Sequence, residues 1–85
     1  MMSEIQKGSN KFYLGQSENE PEAEIVYSSD GDAIVIEHTF VSEKLRGQGI
    51  GEKLVDQAVQ YAEENNLKID SQCPYAKSIL EKKEN

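Results

Sequence analysis

Apolar side chains fall along this chain in two rhythms, one of period two and one near 3.6. Residues 11–14 (Lys-Phe-Tyr-Leu) and 23–28 (Ala-Glu-Ile-Val-Tyr-Ser) alternate as strands do, separated by a polar stretch from Gly15 to Glu22 that holds Pro21. Ser29-Asp30-Gly31-Asp32 is a turn, since Asp-Gly between two apolar runs favours a hairpin, and 33–41 (Ala-Ile-Val-Ile-Glu-His-Thr-Phe-Val) is the segment richest in β-formers. From Ile50 the rhythm changes. Ile50, Leu54, Val55, Ala58, Val59, Tyr61 and Ala62 form the stripe of an amphipathic helix that stops near Asn65-Asn66. Residues 67–72 then make one more strand, and Pro74 opens a last short helix through about Lys82. Strand, helix, strand over 33–72 is a βαβ unit with a right-handed crossover, so its two strands run parallel. The expected architecture is α/β on a mixed sheet of the α+β kind: an antiparallel three-strand meander, a βαβ unit and a C-terminal helix, as one domain over residues 1–85.

Composition narrows what such a domain does. At 85 residues and 36% hydrophobic content it buries only about 60 to 65% of its unfolded surface. No run approaches the roughly 18 apolar residues of a membrane span, and the start Met1-Met2-Ser3-Glu4-Ile5-Gln6-Lys7 lacks a leader's apolar core, so a cytoplasmic, membrane-free protein is expected. One cysteine, Cys73, and one histidine, His38, predict neither an internal disulfide nor a structural metal. The net charge of −7 lies wholly in residues 1–43, with nine acids against Lys7 and Lys11, while residues 44–85 balance seven acids with seven bases. That first half disfavours nucleic acid and suits a cationic partner, or serves solubility alone.

Three of the six glycines and the only arginine crowd into Leu45-Arg46-Gly47-Gln48-Gly49-Ile50-Gly51. Glycine lets the main chain turn tightly and approach a ligand, and the first amides of the following helix have no internal acceptor. A diphosphate there accepts main-chain hydrogen bonds at the positive end of the helix dipole, with Arg46 as a forked second contact. A nucleotide triphosphate is disfavoured, because Glu52-Lys53-Leu54 follows Gly51 where a P-loop needs Lys-Ser or Lys-Thr. A dinucleotide fold is rejected as well. Its third glycine would fall at Glu52, and only 15 residues follow Asp70, the candidate ribose acid.

Arg46-Gly47-Gln48-Gly49-Ile50-Gly51 does match Arg/Gln-x-x-Gly-x-Gly/Ala at every defined position, and in it the chain resembles the GNAT superfamily of acetyl-CoA-dependent N-acetyltransferases. The likeness is closest to the short stand-alone members, through His38-Thr39-Phe40-Val41, Leu45 to Gly49, and Cys73-Pro74-Tyr75, and spans roughly residues 10–83. It implies a minimal GNAT fold with acetyl-CoA as donor. Backbone groups of Phe40 and Val41 would meet the pantetheine arm, and the amides of Gly47, Gln48, Gly49, Ile50 and Gly51 the pyrophosphate. Ser42 replaces a common proline of these short proteins, and the helices that cover the acceptor in larger members are missing, so the acceptor is left as an amine of unspecified kind.

Four side chains are candidates for the chemistry. His38, read on the Ile34-Ile36-His38-Phe40 face, is either a base beside the thioester or a histidine hydrogen-bonded in the core. Glu37, on the opposite face, is a base acting through water or simply solvated. Cys73 sits before Pro74 at a helix N-cap, where unpaired amides and the dipole acidify a thiol, and is either a nucleophile that carries the acetyl group or a small apolar residue. Tyr75 resembles the tyrosine that GNAT enzymes use as general acid, or else packs on the sheet. Lys44, Lys77, Lys82 and Lys83 could meet the 3′-phosphate of coenzyme A, Lys77 foremost. An acyl-CoA-binding module without turnover and a partner-dependent subunit remain open beside the enzyme.

Overall fold

The period-two runs become a five-stranded sheet in a computed structural model that describes residues 5–17 and 19–83. Its strands are β1 (Gln6–Gly8), β2 (Lys11–Ser17), β3 (Glu20–Asp30), β4 (Ala33–Val41) and β5 (Lys68–Ser71). They lie side by side in chain order, antiparallel from β1 to β4, with β5 parallel to β4. Helix α1 (Ile50–Glu64) is the β4 to β5 crossover, and α2 (Pro74–Lys83) follows β5. The mixed α/β order read from the sequence is therefore present, with one strand added: β1 pairs with β2 although Gln6-Lys7-Gly8 carries no apolar signal. The polar stretch after Leu14 is also mostly strand. Gly15, at φ +133°, breaks the β2–β3 register, and pairing resumes to Ser17 opposite Glu20. Residues 1–4, the first part of the segment without a leader's apolar core, and the side chain of Lys83 lie outside the described residues.

The core lies between the sheet and the helices. Phe12, Leu14, Ala23, Ile25, Tyr27, Ile34 and Ile36 face Ile50, Leu54, Val55, Ala58 and Ala62 of α1, with Ala76 and Ile79 of α2 completing the cluster. Helix α1 stops where expected. The Asn65 side-chain amide donates to the Tyr61 carbonyl at 2.8 Å, Asn66 turns to φ +57°, and the Leu67 amide returns to the Ala62 carbonyl at 2.7 Å, so the last carbonyls find donors.

One irregularity corrects the reading of β4. Opposite β3, His38 pairs with Val26 and Ile36 with Tyr27, so Glu37 is an extra residue, a β-bulge. The alternation restarts after it. Thr39 is opposite the buried Ile25 and Val41 opposite the buried Ala23, on the core face, whereas His38 and Phe40 share the other face with Val26 and Glu24. His38 and Phe40 therefore do not continue the Ile34-Ile36 face, and both are exposed.

Candidate functional site

The bulge coincides with the parting of two strands. Pairing of β4 with β5 ends at Ile36 opposite Ser71, closed by a 2.8 Å bond from the Gln72 amide to the Ile36 carbonyl. Beyond it β4 runs on to Val41 while the other chain turns into α2. The space opened between them lies beyond the carboxyl ends of both strands, where ligands of such βαβ units bind.

A groove of about 280 Å³ lies along this gap, lined by Thr39, Phe40, Val41, Arg46 and Tyr75. A second cavity, about 100 Å³, is floored by Arg46, Gly47, Gly49, Ile50 and Gly51 and walled by Val41, Leu45 and Tyr75. Val41, Arg46 and Tyr75 belong to both, so the two hollows are neighbours. The shape of the loop is set by its glycines. Gly47 (φ +83°) and Gly49 (φ +76°) hold left-handed turns, and their missing Cβ atoms would meet nothing within 4 Å, so conformation is what demands glycine there. Gly51 is helical and differs: a Cβ would strike the Tyr75 phenol, lying 2.8 Å from its Cε2. The first intrahelical bond of α1 runs from the Lys53 amide to the Gly49 carbonyl at 3.1 Å, which leaves the amides of Ile50, Gly51 and Glu52 without intrahelical acceptors. Arg46 is anchored by its Nε, which donates to the Val41 carbonyl at 3.1 Å.

Cys73 lines neither hollow and meets the groove only through Thr39. Its sulfur is 3.5 Å from the Thr39 hydroxyl, and amides of Thr39, Tyr75 and Ala76 also point to it. Burial pushes the thiol pKa up, but these donors outweigh it and hold it below the ordinary thiol value. The Ser71 hydroxyl fixes the residue from behind, accepting from the Cys73 amide at 3.0 Å and donating to its carbonyl at 2.8 Å. That carbonyl also takes the Lys77 amide at 2.9 Å, the first turn of α2.

Thus Phe40, Val41, Arg46, Gly47, Gly49, Ile50, Gly51 and Tyr75 come together. Gln48 and Lys77 do not join the lining. The Gln48 side chain turns to the Lys44 carbonyl at 3.2 Å, and Lys77 is exposed on α2. The Lys44 ammonium lies 3.8 Å from Glu22. Glu37, opposite no strand residue, accepts from the Ser28 hydroxyl at 2.7 Å. Tyr75 is half-exposed and lies over Gly51 rather than packing into the sheet. Two residues outside the sequence candidates hold Cys73, Thr39 at its sulfur and Ser71 at its main chain. Ser71 was detectable, since a serine two residues before Cys73 is the spacing of a hydroxyl–backbone turn. Thr39 was hidden by the bulge.

A sequence model described as GCN5-related N-acetyl-transferase matches residues 11–85. A solution structure of a GCN5-like protein from Staphylococcus aureus is 51% identical, with a TM-score of 0.80 over 95% of this chain and 80% of that one. The fold alone is shared with a ribosomal-protein-alanine N-acetyltransferase from Brucella melitensis biovar Abortus 2308, 19% identical, TM-score 0.57, over 87% of this chain and 63% of that one. It is shared too with an aminoglycoside acetyltransferase from an uncultured soil metagenomic sample, 18% identical, TM-score 0.58, over 92% and 59%. No curated protein matches the chain.

Proposed function

Because the chain belongs to the GCN5-related N-acetyltransferase family, we propose that it takes acetyl from acetyl-CoA and delivers it to an amine by way of Cys73. The support is the Cys73 sulfur, acidified by neutral donors and facing Thr39, which lines the groove leading from the glycine cradle.

Each residue has a task. The amides of Ile50, Gly51 and Glu52, with Arg46, hold the diphosphate. The open edge of β4 at Phe40 and Val41 lies along the pantetheine arm as a strand would. The Cys73 thiolate then bonds to the acetyl carbon as the bond from that carbon to the coenzyme sulfur breaks. The departing sulfur takes the Tyr75 phenol proton, which water restores. A neutral amine next bonds to the acetyl carbon, the bond to Cys73 breaks, the thiolate is regenerated and the surplus proton passes to water. A cytoplasmic setting, reducing enough to keep a single thiol free, suits this chemistry.

Intact mass after rapid quench with acetyl-CoA tests it. One added acetyl group is expected in the wild type and none in Cys73→Ala; a wild type that never takes up acetyl removes the relay. Exposure of His38 on the opposite face leaves no imidazole beside the sulfur, which favours a second reading, an acyl-CoA-binding module without turnover. Sustained coenzyme A release with a panel of amines decides for the enzyme, and binding with no release for the module.

A further inference from the structure

We propose that Thr39 is the positioning residue of the Cys73 sulfur: its hydroxyl donates to the thiolate and so orients it from the 280 Å³ groove that Thr39 itself lines, a role the histidine beside it does not fill. The inference deepens the relay reading and rests on it for its catalytic meaning. The hydrogen bond itself stands apart from that reading.

The argument begins with the bulge. A regular β4 would carry the core face through Ile34, Ile36 and His38, and an imidazole would meet the chain turning out of β5. The extra residue, Glu37, shifts the alternation by one, so a threonine arrives instead. Thr39 lies opposite Ile25, a fully buried residue, and this fixes its side chain toward the helices. From there Oγ1 reaches the sulfur at 3.5 Å. A hydroxyl is both donor and acceptor, so it serves a thiol in either state and favours the thiolate when it donates. The main chain of Cys73 is held as well, because the Ser71 hydroxyl bonds both its amide and its carbonyl. Ser71 is itself buried, and Thr39 alone of the two lines the groove.

The influences on the thiol are neutral. Burial opposes ionisation; the Thr39 hydroxyl and the amides of Ala76, Tyr75 and Thr39 favour it. The titratable groups on the surrounding elements are engaged elsewhere or exposed. On β4, Glu37 takes the Ser28 hydroxyl and His38 is exposed; on β5, Asp70 Oδ1 accepts the Ser71 amide at 2.7 Å; on α2, Tyr75 lies over Gly51 and Lys77 is exposed. Removing one hydroxyl should therefore be visible against a quiet background.

Because the chain has one cysteine, alkylation by iodoacetamide followed against pH reads that thiol alone. Thr39→Val keeps the shape and removes the donor, and is expected to raise the midpoint by about one pH unit. Thr39→Ser is expected to return it to the wild-type position, and His38→Ala to leave it there. An unmoved midpoint in Thr39→Val, or one moved instead by His38→Ala, overturns the proposal. If Thr39→Val does not fold, Thr39→Ala against Thr39→Ser makes the same comparison. Acetyl uptake by mass keeps the two ideas apart. A raised midpoint without any acetyl adduct in the wild type upholds Thr39 and sinks the relay, while an adduct formed equally fast with unmoved midpoints upholds the relay and sinks Thr39.

Discussion

At the scale of single residues, the glycines of the loop are not alike. Gly49 stands at φ +76° with nothing near its missing Cβ, so alanine there meets strain in the main chain only. Gly49→Ala is expected to cost about 1–2 kcal/mol, with Gly49→Asn milder because asparagine tolerates the left-handed region. Thermal unfolding checks this as a fall of roughly 4–8 °C per kcal/mol in a domain of this size. Gly51 reverses the pattern. It is helical, and alanine gains about 1 kcal/mol of helix propensity, but its Cβ enters the space of the Tyr75 ring. Gly51→Ala should hold its melting temperature and lose acetyl-CoA affinity, about tenfold, as the displaced phenol changes the wall shared by cradle and groove. Calorimetric titration beside a melt separates the two glycines. The Cys73 thiol adds a pH prediction. Its folded-state pKa is depressed, so the stabilisation it contributes is present in full above the ordinary thiol value and fades as pH falls through the lower folded value. Cys73→Ala against wild type in denaturant, from neutral to alkaline pH, should show the difference widening upward.

Elements differ in how far the residues announce them. Helix α1 could be read to its ends because a 3.6-residue stripe and an asparagine pair are local signals, and local signals survive folding. Leu54, fully buried in that stripe, makes the strength of the signal measurable: Leu54→Ala is expected to cost about 2–5 kcal/mol in a urea titration, a large part of what a small domain has. Strand β1 gave no local signal. Gln6-Lys7-Gly8 is strand because β2 offers it an edge, a cause that lies in another segment. The β4 bulge is of the same kind. Ile34-Val35-Ile36-Glu37-His38-Thr39-Phe40-Val41 looks like one unbroken alternation, and only pairing with β3 shows where it slips. For that reason the glycine cradle was legible from the chain, while the residue facing the sulfur was not: the cradle depends on neighbours in sequence, the sulfur contact on residues 34 apart.

For the molecule as a whole, an 85-residue chain folds to a radius of gyration of 12.1 Å, about that of a single compact body of its length. It spans 63% and 59% of the two larger acetyltransferases that share its fold, and concentrates its negative charge before the site and its neutral half around it. The acids of the first half are partly engaged with bases, Glu24 with Lys11 at 3.0 Å and Glu22 with Lys44 at 3.8 Å. The sheet also records a history. Its spatial order is its chain order, and three of its four pairings join strands that follow one another directly, so little chain has to be closed before each pairing is gained. Only β5 waits, since it cannot dock until α1 has crossed the sheet. Stopped-flow refolding is therefore expected to finish in milliseconds along a single exponential, with the β1–β4 meander formed early and the β4–β5 pairing late. On a ribosome the same order applies: the meander emerges first, and the mouth proposed to take the cofactor is the last part of the molecule to come into being.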